Sequence, residues 1–506
     1  MKKVVLFFVF CFALAALNAQ NITDGLRYSI DENIGTARYT ALSGAMGALG
    51  GDFSAMGSNP AGGAVFLNSN LMFSTSLFDV ENQATYFGNS ETSYSDNITI
   101  NQLGGVFVFN NANTESKFKK FTLGVNYDMN KSLDNELFIS GTGTTSIGDF
   151  FLLQAQGIPL NLLQLQSGES ISDLYRYLGE HEGTAAQNAF LGYQAYLFDP
   201  IDPNNPANTS YISNIANGSF NQAYAYLSEG YNSKFTINLA TQVTDDLFFG
   251  VNINTHTIYF NQSSFFLEKN SNNGSIVNRI GFENNLSVDG AGVSAQLGAI
   301  AKIADNLRLG LSLTSPTWYQ ISEETTQYLE SRRTVEGQNY TEIVDPRIIN
   351  IYDDYTIRTP AKVGASAAYV FGQNGLISFD YSYKDYASIQ FRPTNDSFFK
   401  NLNSSIDNTL TGVSEYKAGA EYRINQLSLR GGFHYEESPY KNTDILGERM
   451  GFSLGAGYHF GRFTADLAYS RSEQKRNQQL YAIGLTDTAQ INSIYSNFVL
   501  SLGFNF

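Results

Sequence analysis

At the end of the chain apolar side chains fall on every second position. Phe498, Leu500, Leu502, Phe504 and Phe506 share one face, while Asn497, Ser501, Gly503 and Asn505 share the other. Strict alternation of this kind predicts a β-strand with one apolar face. The pattern recurs in pairs joined by tight turns. Phe235, Ile237, Leu239 and Val243 lead through Asp245-Asp246 into Phe249, Val251, Ile253 and Tyr259. Val293 to Ile303 turns at Ala304-Asp305-Asn306 into Leu307, Leu309, Leu311 and Leu313, and Ala361 to Phe371 turns at 372–375 into Ile377, Phe379, Tyr381 and Tyr383. Tyr416 to Arg423 turns at Asn425-Gln426, and Phe452 to Phe460 turns at Gly461-Arg462. One face is uniformly apolar and ends in tyrosines; the other mixes Gly, Ser, Asn and charges of both signs.

A soluble sandwich and a membrane barrel both produce such alternation, and connection lengths separate them. Fourteen strands are predicted, beginning near residues 70, 98, 119, 233, 247, 278, 307, 345, 375, 412, 427, 449, 463 and 494. Short connections at 111–118, 244–246, 304–306, 372–374, 425–426 and 461–462 alternate with long ones, the longest at 132–232. An even strand number with short turns at one end and long loops at the other is the outer-membrane arrangement. The expectation is an all-β, 14-stranded antiparallel transmembrane barrel over 70–506, with 132–232 as a large, partly helical extracellular loop.

The first residues refine the picture. Lys2 and Lys3 precede an apolar run from Val4 to Leu17, and Ala19-Gln20 is a fitting cleavage point, so 1–19 reads as a secretory signal peptide. The only cysteine, Cys11, lies inside it, so the exported chain has no thiol for disulfides or thiolate metal sites. Losing Lys2 and Lys3 takes the formal net charge from −16 to −18, which disfavours nucleic acid.

Residues 20–69, ahead of the first strand, contain the glycine-rich stretch GAMGALGGDFSAMGSNPAGG (Gly44–Gly63). A phosphate loop would follow its glycines with Lys-Ser/Thr, whereas here Asp52 follows, and no βαβ unit surrounds it. A compact plug fits better, with Asp52 and Asn59 bonding otherwise unpaired backbone groups.

Several segments resemble the FadL/TodX (OmpP1) outer-membrane transporters of hydrophobic compounds: GTARYTALSGAMGALGGDFSAMGSNPAG (Gly35–Gly62), LRLGLSLTSPTWY (Leu307–Tyr319), RTPAKVGASAAYVF (Arg358–Phe371), YKAGAEYRINQLSLRGGFHY (Tyr416–Tyr435) and FSLGAGYHFGRFTADLAYSRS (Phe452–Ser472). The resemblance implies a fourteen-stranded barrel, an N-terminal hatch inside the lumen, and passage of long-chain fatty acids or aromatic hydrocarbons through the wall. Asn59, Pro60 and Ala61 match the family's Asn-Pro-Ala hatch motif, which makes them, with Asp52, the expected gate. The family's lateral exit is a kink in an early strand, which the sequence alone does not locate here.

Three further sets of residues carry candidate chemistry. In the insert, Ser170-Ile-Ser-Asp173 reads as a capping box for a helix through Leu178, and Thr184 as the cap of another. Leu160, Leu163, Phe190, Tyr193 and Leu197 line either a self-packed core or an outward capture groove for a hydrophobic ligand. Strand phase points Arg308, Lys362, Asp380, Lys384, Lys417, Glu421, Arg423, Arg430, His434, Glu436, His459 and Asp466 into the lumen. Most such charges neutralise one another; Lys362 and Arg430 are the expected grip for a ligand carboxylate. No serine-plus-acid pattern surrounds His181, His256, His434 or His459, so no enzyme and no cofactor is expected. His434 and His459 sit on neighbouring late strands as either a chance pair or a weak metal site, the Asp199–Asn204 stretch with Asp202 offers calcium oxygens but lacks a ligand loop of known spacing, and no metal is assigned. The functional expectation is a passive outer-membrane channel for hydrophobic small molecules, surrounded by outer-membrane lipid. Its terminal Phe506 strand is of the kind that barrel-assembly machinery reads. The alternative is a non-transporting barrel serving as adhesin or secretion-system surface carrier. The signal peptide and barrel together place the chain in the outer membrane of a Gram-negative bacterium.

Overall fold

The computed structural model describes residues 20–113 and 115–506; the signal-peptide assignment lies outside them. The wall is a closed barrel of fourteen antiparallel strands. In chain order they are β1 (Asn70–Tyr86), β2 (Asn89–Asn110), β3 (Lys120–Ser132, resuming at Asn135–Gly143), β4 (Phe220–Gln242), β5 (Leu247–Lys269) and β6 (Val277–Ala304). There follow β7 (Leu307–Thr314, resuming at Trp318–Val335), β8 (pieces from Gln338–Val344 to Lys362–Val370), β9 (Gly375–Asp385), β10 (Gly412–Ile424) and β11 (Leu427–Glu436). The last three are β12 (Leu446–Phe460), β13 (Phe463–Gln479) and β14 (Thr488–Asn505). β14 closes on β1 in the register Asn70↔Asn505 to Thr85↔Gln490.

The expected fourteen strands are present and the short connections fall where the pattern put them. The insert differs. Strand β3 runs on to Gly143 and β4 begins at Phe220, because both ends of the expected loop pair with each other from Asn135↔Ser228 to Gly143↔Phe220.

Along β5, Phe249, Val251 and Ile253 are exposed while Asn252 and Asn254 are buried. The wall is apolar outside and polar inside, the inverse of a soluble protein, and its outer band suits lipid. At the short-turn end Phe463 and Phe504 meet at 4.8 Å, and Phe504 stacks on Phe506 at 6.2 Å. Tyr381 and Tyr416 pack at 5.3 Å toward the other end. Among the described residues no helix is long and apolar enough to cross a membrane.

Residues 20–69 fold inside the barrel as α1 (Ile22–Ser29), α2 (Ala37–Ala41), α3 (Phe53–Ser58) and a 3₁₀ turn (Pro60–Val65). Between β3 and β4 lie α4 (Gly148–Ala155), α5 (Ile171–His181) and α6 (Thr184–Gln194). Ser170 and Asp173 form the expected capping box, whereas α6 is preceded by Gly183 and has no side-chain cap. A further helix, α7 (Ser397–Thr409), follows β9; Asp396 caps it by accepting from the Phe398 and Phe399 amides. Its Phe399, Leu402 and Ile406 share one apolar cluster with Leu26 and Tyr28 of α1 and with Tyr355 and Phe391. The start of the hatch segment is therefore packed beneath an outer-loop helix.

Candidate functional site: lumen, hatch and wall break

The hatch helices are short and irregular turns join them, so carbonyls such as those of Leu49, Met56, Gly57 and Pro60 need partners outside the hatch. Inward wall side chains supply them. Asn238 donates to Pro60 O at 2.9 Å, Asn252 to Met56 O at 2.8 Å, Gln296 to Gly57 O at 3.0 Å and Arg308 to Leu49 O at 3.0 Å. The Asn and Gln residues that alternate along β4 to β6 are the donor lining of the plug.

Asn59 joins the plug to the wall. Its Nδ2 donates to Gly47 O at 2.8 Å and to Ala299 O at 3.1 Å, and its Oδ1 accepts from Ala61 N at 3.1 Å as the cap of the 3₁₀ turn. Pro60 opens that turn, where a missing N–H costs nothing. Asp52 caps α3 by accepting from Ser54 N at 2.9 Å and Ala55 N at 3.3 Å, and it takes the Thr36 hydroxyl at 2.8 Å. Burial raises the Asp52 carboxyl pKa against the opposing pull of Arg38 and these bonds.

The sequence reading missed two wall glycines that make room for this motif. A Cβ on Gly250 would lie 2.3 Å from the Pro60 carbonyl, and one on Gly298 would lie 2.0 Å from Asn59 Oδ1. In the alternation they read as fillers of the polar face; only barrel closure brings Pro60 onto them. Gly298→Val is therefore expected to displace the Asn59–Ala61 turn and cost about 1–3 kcal/mol, the usual penalty of overpacking. Faster trypsin cleavage of the hatch in a barrel that still shows heat-modifiable gel mobility is the readout.

Above the hatch lies a cavity of about 170 Å³, lined by hatch residues and by charged wall residues. Lys362 faces it, 3.3 Å from Glu415, which also holds Lys417 at 2.8 Å. Two lysines thus share one carboxylate. Asp31 of the hatch bonds Lys384 at 2.6 Å; burial pushes the Asp31 carboxyl up, but Lys384 and Lys362 outweigh it and hold it well below the usual carboxylate range. Arg430 is placed differently from Lys362. It is buried with Nε 2.7 Å from Glu421 and Nη1 2.5 Å from Asp466, so both its faces are already committed. Glu421 also holds Arg38 of the hatch at 2.9 Å and pairs with Arg423, which makes it the hub of a buried cluster.

The external helices enclose their own core. Leu160, Leu163, Phe190 and Leu197 are buried there with Phe151, Tyr175 and Phe282, and Tyr193 packs half-buried against them. The groove that the sequence set against a self-packed core is not open at these positions, because α4 and α6 close over it. The apolar residues this loop region leaves exposed are others, among them Leu153, Leu165 and Tyr177. Among the described residues no group of three or more His, Cys, Asp or Glu is arranged to hold a metal ion, His434, His459, Asp199 and Asp202 included.

The ladder between β2 and β3 is broken. β2 pairs with β3 from Asn110↔Lys120 only as far as Gln102↔Asp128. Beyond that, β2 keeps its β1 partner alone, and β3 is interrupted at Leu133-Asp134 before resuming against β4. Side chains bridge the break: Asn97 donates to Asp134 at 2.5 Å, the Phe138 amide to Ser93 at 2.8 Å, and Asn82 to Glu136 O at 2.7 Å. Gln102 lies opposite Ser74, between the exposed Phe73 and Leu77, so the break begins within the outer apolar band. Ile34 of the hatch packs behind it with Phe78 and Met129. A second cavity, of about 70 Å³, reaches from Phe78, Asp79 and Asp134 to the lumen and shares Asp31, Glu32, Asn33, Ile34, Glu415 and Glu436 with the first.

A family model described as outer membrane protein transport protein (OMPP1/FadL/TodX) matches residues 207–505. The chain belongs to the OMPP1/FadL/TodX family. Among solved structures it is similar to a Pseudomonas aeruginosa FadL homologue, at 12% identity and TM-score 0.54, covering 94% of this chain and 100% of that one. It is likewise similar to the P. putida toluene transporter TodX, at 14% identity and TM-score 0.52, covering 94% and 99%. At these identities the two structures support the barrel fold of a FadL/TodX-family outer-membrane protein. No curated protein sequence matches the chain.

Proposed function

We propose that this FadL/TodX-family barrel is a passive outer-membrane channel for hydrophobic small molecules such as long-chain fatty acids or aromatic hydrocarbons, released sideways into the membrane. The carrying observation is the β2–β3 break, which sits within the outer apolar band and is stoppered from inside by Ile34. Irregular backbone at that depth is tolerated where it borders a cavity, and here the second cavity lies behind it. Capture falls to the exposed apolar residues of the external loops. Lys362, sharing Glu415 with Lys417, grips a ligand carboxylate in the lumen, and Asp52, Asn59, Pro60 and Ala61 hold the hatch as the gate on the periplasmic side. Phe506, half-exposed at the end of β14, is the aromatic terminus for recognition by barrel-assembly machinery. A non-transporting adhesin or surface carrier leaves both the break and its stopper without a role.

Purification in mild detergent, mass spectrometry of retained small molecules and uptake into proteoliposomes test the proposal together. A retained hydrophobic ligand and protein-dependent uptake are expected. Transport is overturned if no ligand is retained and deletion of residues 20–69 leaves permeability unchanged.

A further inference from the structure

Three inward side chains at the foot of the wall break form one cross-strand row: Asp128 on β3, Lys234 on β4 and His256 on β5, in the registers Asp128↔Lys234 and Lys234↔His256. All three line the lumen cavity. Asp128 is the last residue of β3 still paired with β2, so the row stands on the threshold of the break. Each member keeps an unused group. Asp128 is 5% exposed; its Oδ2 accepts from Asn126 at 2.6 Å, but its Oδ1 has no partner. His256 is 8% exposed; one ring nitrogen lies 2.9 Å from Ser294 Oγ and Nδ1 has no partner. Lys234, although opposite Asp128, forms no ion pair with it among the described residues. A Cβ on Gly57 of the hatch would lie 3.2 Å from Lys234 Nζ and 4.0 Å from Asp128 Oδ2, which puts both charges against the same point of the plug.

An acid and a base that attract through space without a direct ion-pair contact each keep room for a ligand group of the opposite sign, and together they are complementary to a ligand bearing both. A neutral hydrocarbon leaves both charges unsatisfied, which is costly in a confined site. A simple carboxylate answers Lys234 and is repelled by Asp128. We infer that the row Asp128–Lys234–His256 is a headgroup site for a zwitterionic amphiphile. Its ammonium meets Asp128 Oδ1, its phosphate or carboxylate meets Lys234, and His256 Nδ1 adds a hydrogen bond to the head. The tail has an apolar direction to follow, toward Ile34, Phe78 and Met129 and through the break. This rests on the transport reading above and, among hydrophobic small molecules, puts a zwitterionic amphiphile in place of the fatty acid or hydrocarbon at this site.

The probes are 2-aminododecanoate and lysophosphatidylethanolamine, which carry the two forms of zwitterionic head, with dodecanoate and dodecylamine as single-charge controls. Binding is measured by titration calorimetry on the detergent-solubilised barrel. At least one zwitterion is expected to bind about tenfold more tightly than either control, and which of the two does so tells carboxylate from phosphate. Asp128→Asn and Lys234→Met, each checked for heat-modifiable mobility, are expected to remove that advantage, with dodecanoate affinity in Asp128→Asn equal to or above that of the parent. The inference is overturned if dodecanoate binds as tightly as both zwitterions, or if neither substitution changes the preference. Proteoliposome uptake of dodecanoate is followed in parallel. Uptake without zwitterion preference removes the headgroup site and leaves transport standing; preference without any uptake removes transport and leaves the site.

Discussion

Cross-linking the wall break shut stops uptake. With cysteines at Asn97 and Asp134 and a short reducible bis-thiosulfonate between them, hydrophobic-ligand uptake into proteoliposomes is expected to fall at least about tenfold, a change of about 1.4 kcal/mol or more in the effective barrier. Reduction should restore it. The two positions are chosen because Asn97 on β2 and Asp134 at the interruption of β3 already touch, at 2.5 Å, across the span where no main-chain ladder joins the strands. The sequence carries a single cysteine, Cys11, and a Cys11→Ser background leaves the two introduced thiols alone. A matched pair on the outer face of an intact ladder, such as Phe379 and Ala418 on β9 and β10, should cross-link without effect. Unchanged uptake with the break bridged would remove the lateral route while leaving the channel itself intact.

The period-2 pattern made the barrel legible because each wall strand separates an apolar outer face from a polar inner one, and that contrast recurs whatever the partner strand. Leu309, Leu311 and Leu313 are exposed as the phase requires, and Arg308 turns inward to Leu49 O. Local chemistry was legible too: Asp52 and Asn59 act as caps within a few residues of themselves. What was not legible depends on non-local pairing. The β3 interruption is hidden because alternation continues past it through Leu137 and Ile139, and only the missing β2 register exposes it. Phase placed Arg430 and Lys362 equally well inside, but whether a cation is free depends on which carboxylates neighbouring strands bring. Glu421 and Asp466 occupy Arg430, while Lys362 shares its one acid. The same holds for Phe190 and Leu197, since an apolar helix face looks alike whether it lines a groove or a core. Tertiary closure makes it core here.

Replacing Glu421 by alanine is expected to release the hatch. Its carboxylate is fully buried and is the shared partner of Arg430 and Arg423 from the wall and Arg38 from α2, so one substitution leaves three guanidinium groups without it. Arg430 retains Asp466, but no other carboxylate is within ion-pair distance of Arg38 or Arg423 among the described residues. Removing one member of a buried charge pair typically costs about 3–5 kcal/mol, and here that penalty attaches to the buried Arg430, while the more exposed Arg38 and Arg423 partly regain water. The wall ladder does not depend on this side chain: β10 keeps its main-chain pairing to β9 and β11 on both sides of position 421. The loss should therefore fall on the joint between α2 and the wall. Rapid proteolysis within residues 30–60, with barrel heat-modifiability retained, is the expected pattern, and ion conductance across a planar bilayer should rise as the plug leaves. Glu421→Gln should lie between parent and alanine, since its carbonyl can still accept one guanidinium hydrogen bond but carries no charge. Equal protease resistance in the parent and Glu421→Ala would mean that the wall amides to Gly35, Met56 and Pro60 suffice to hold the plug, and that the charge cluster braces only the wall.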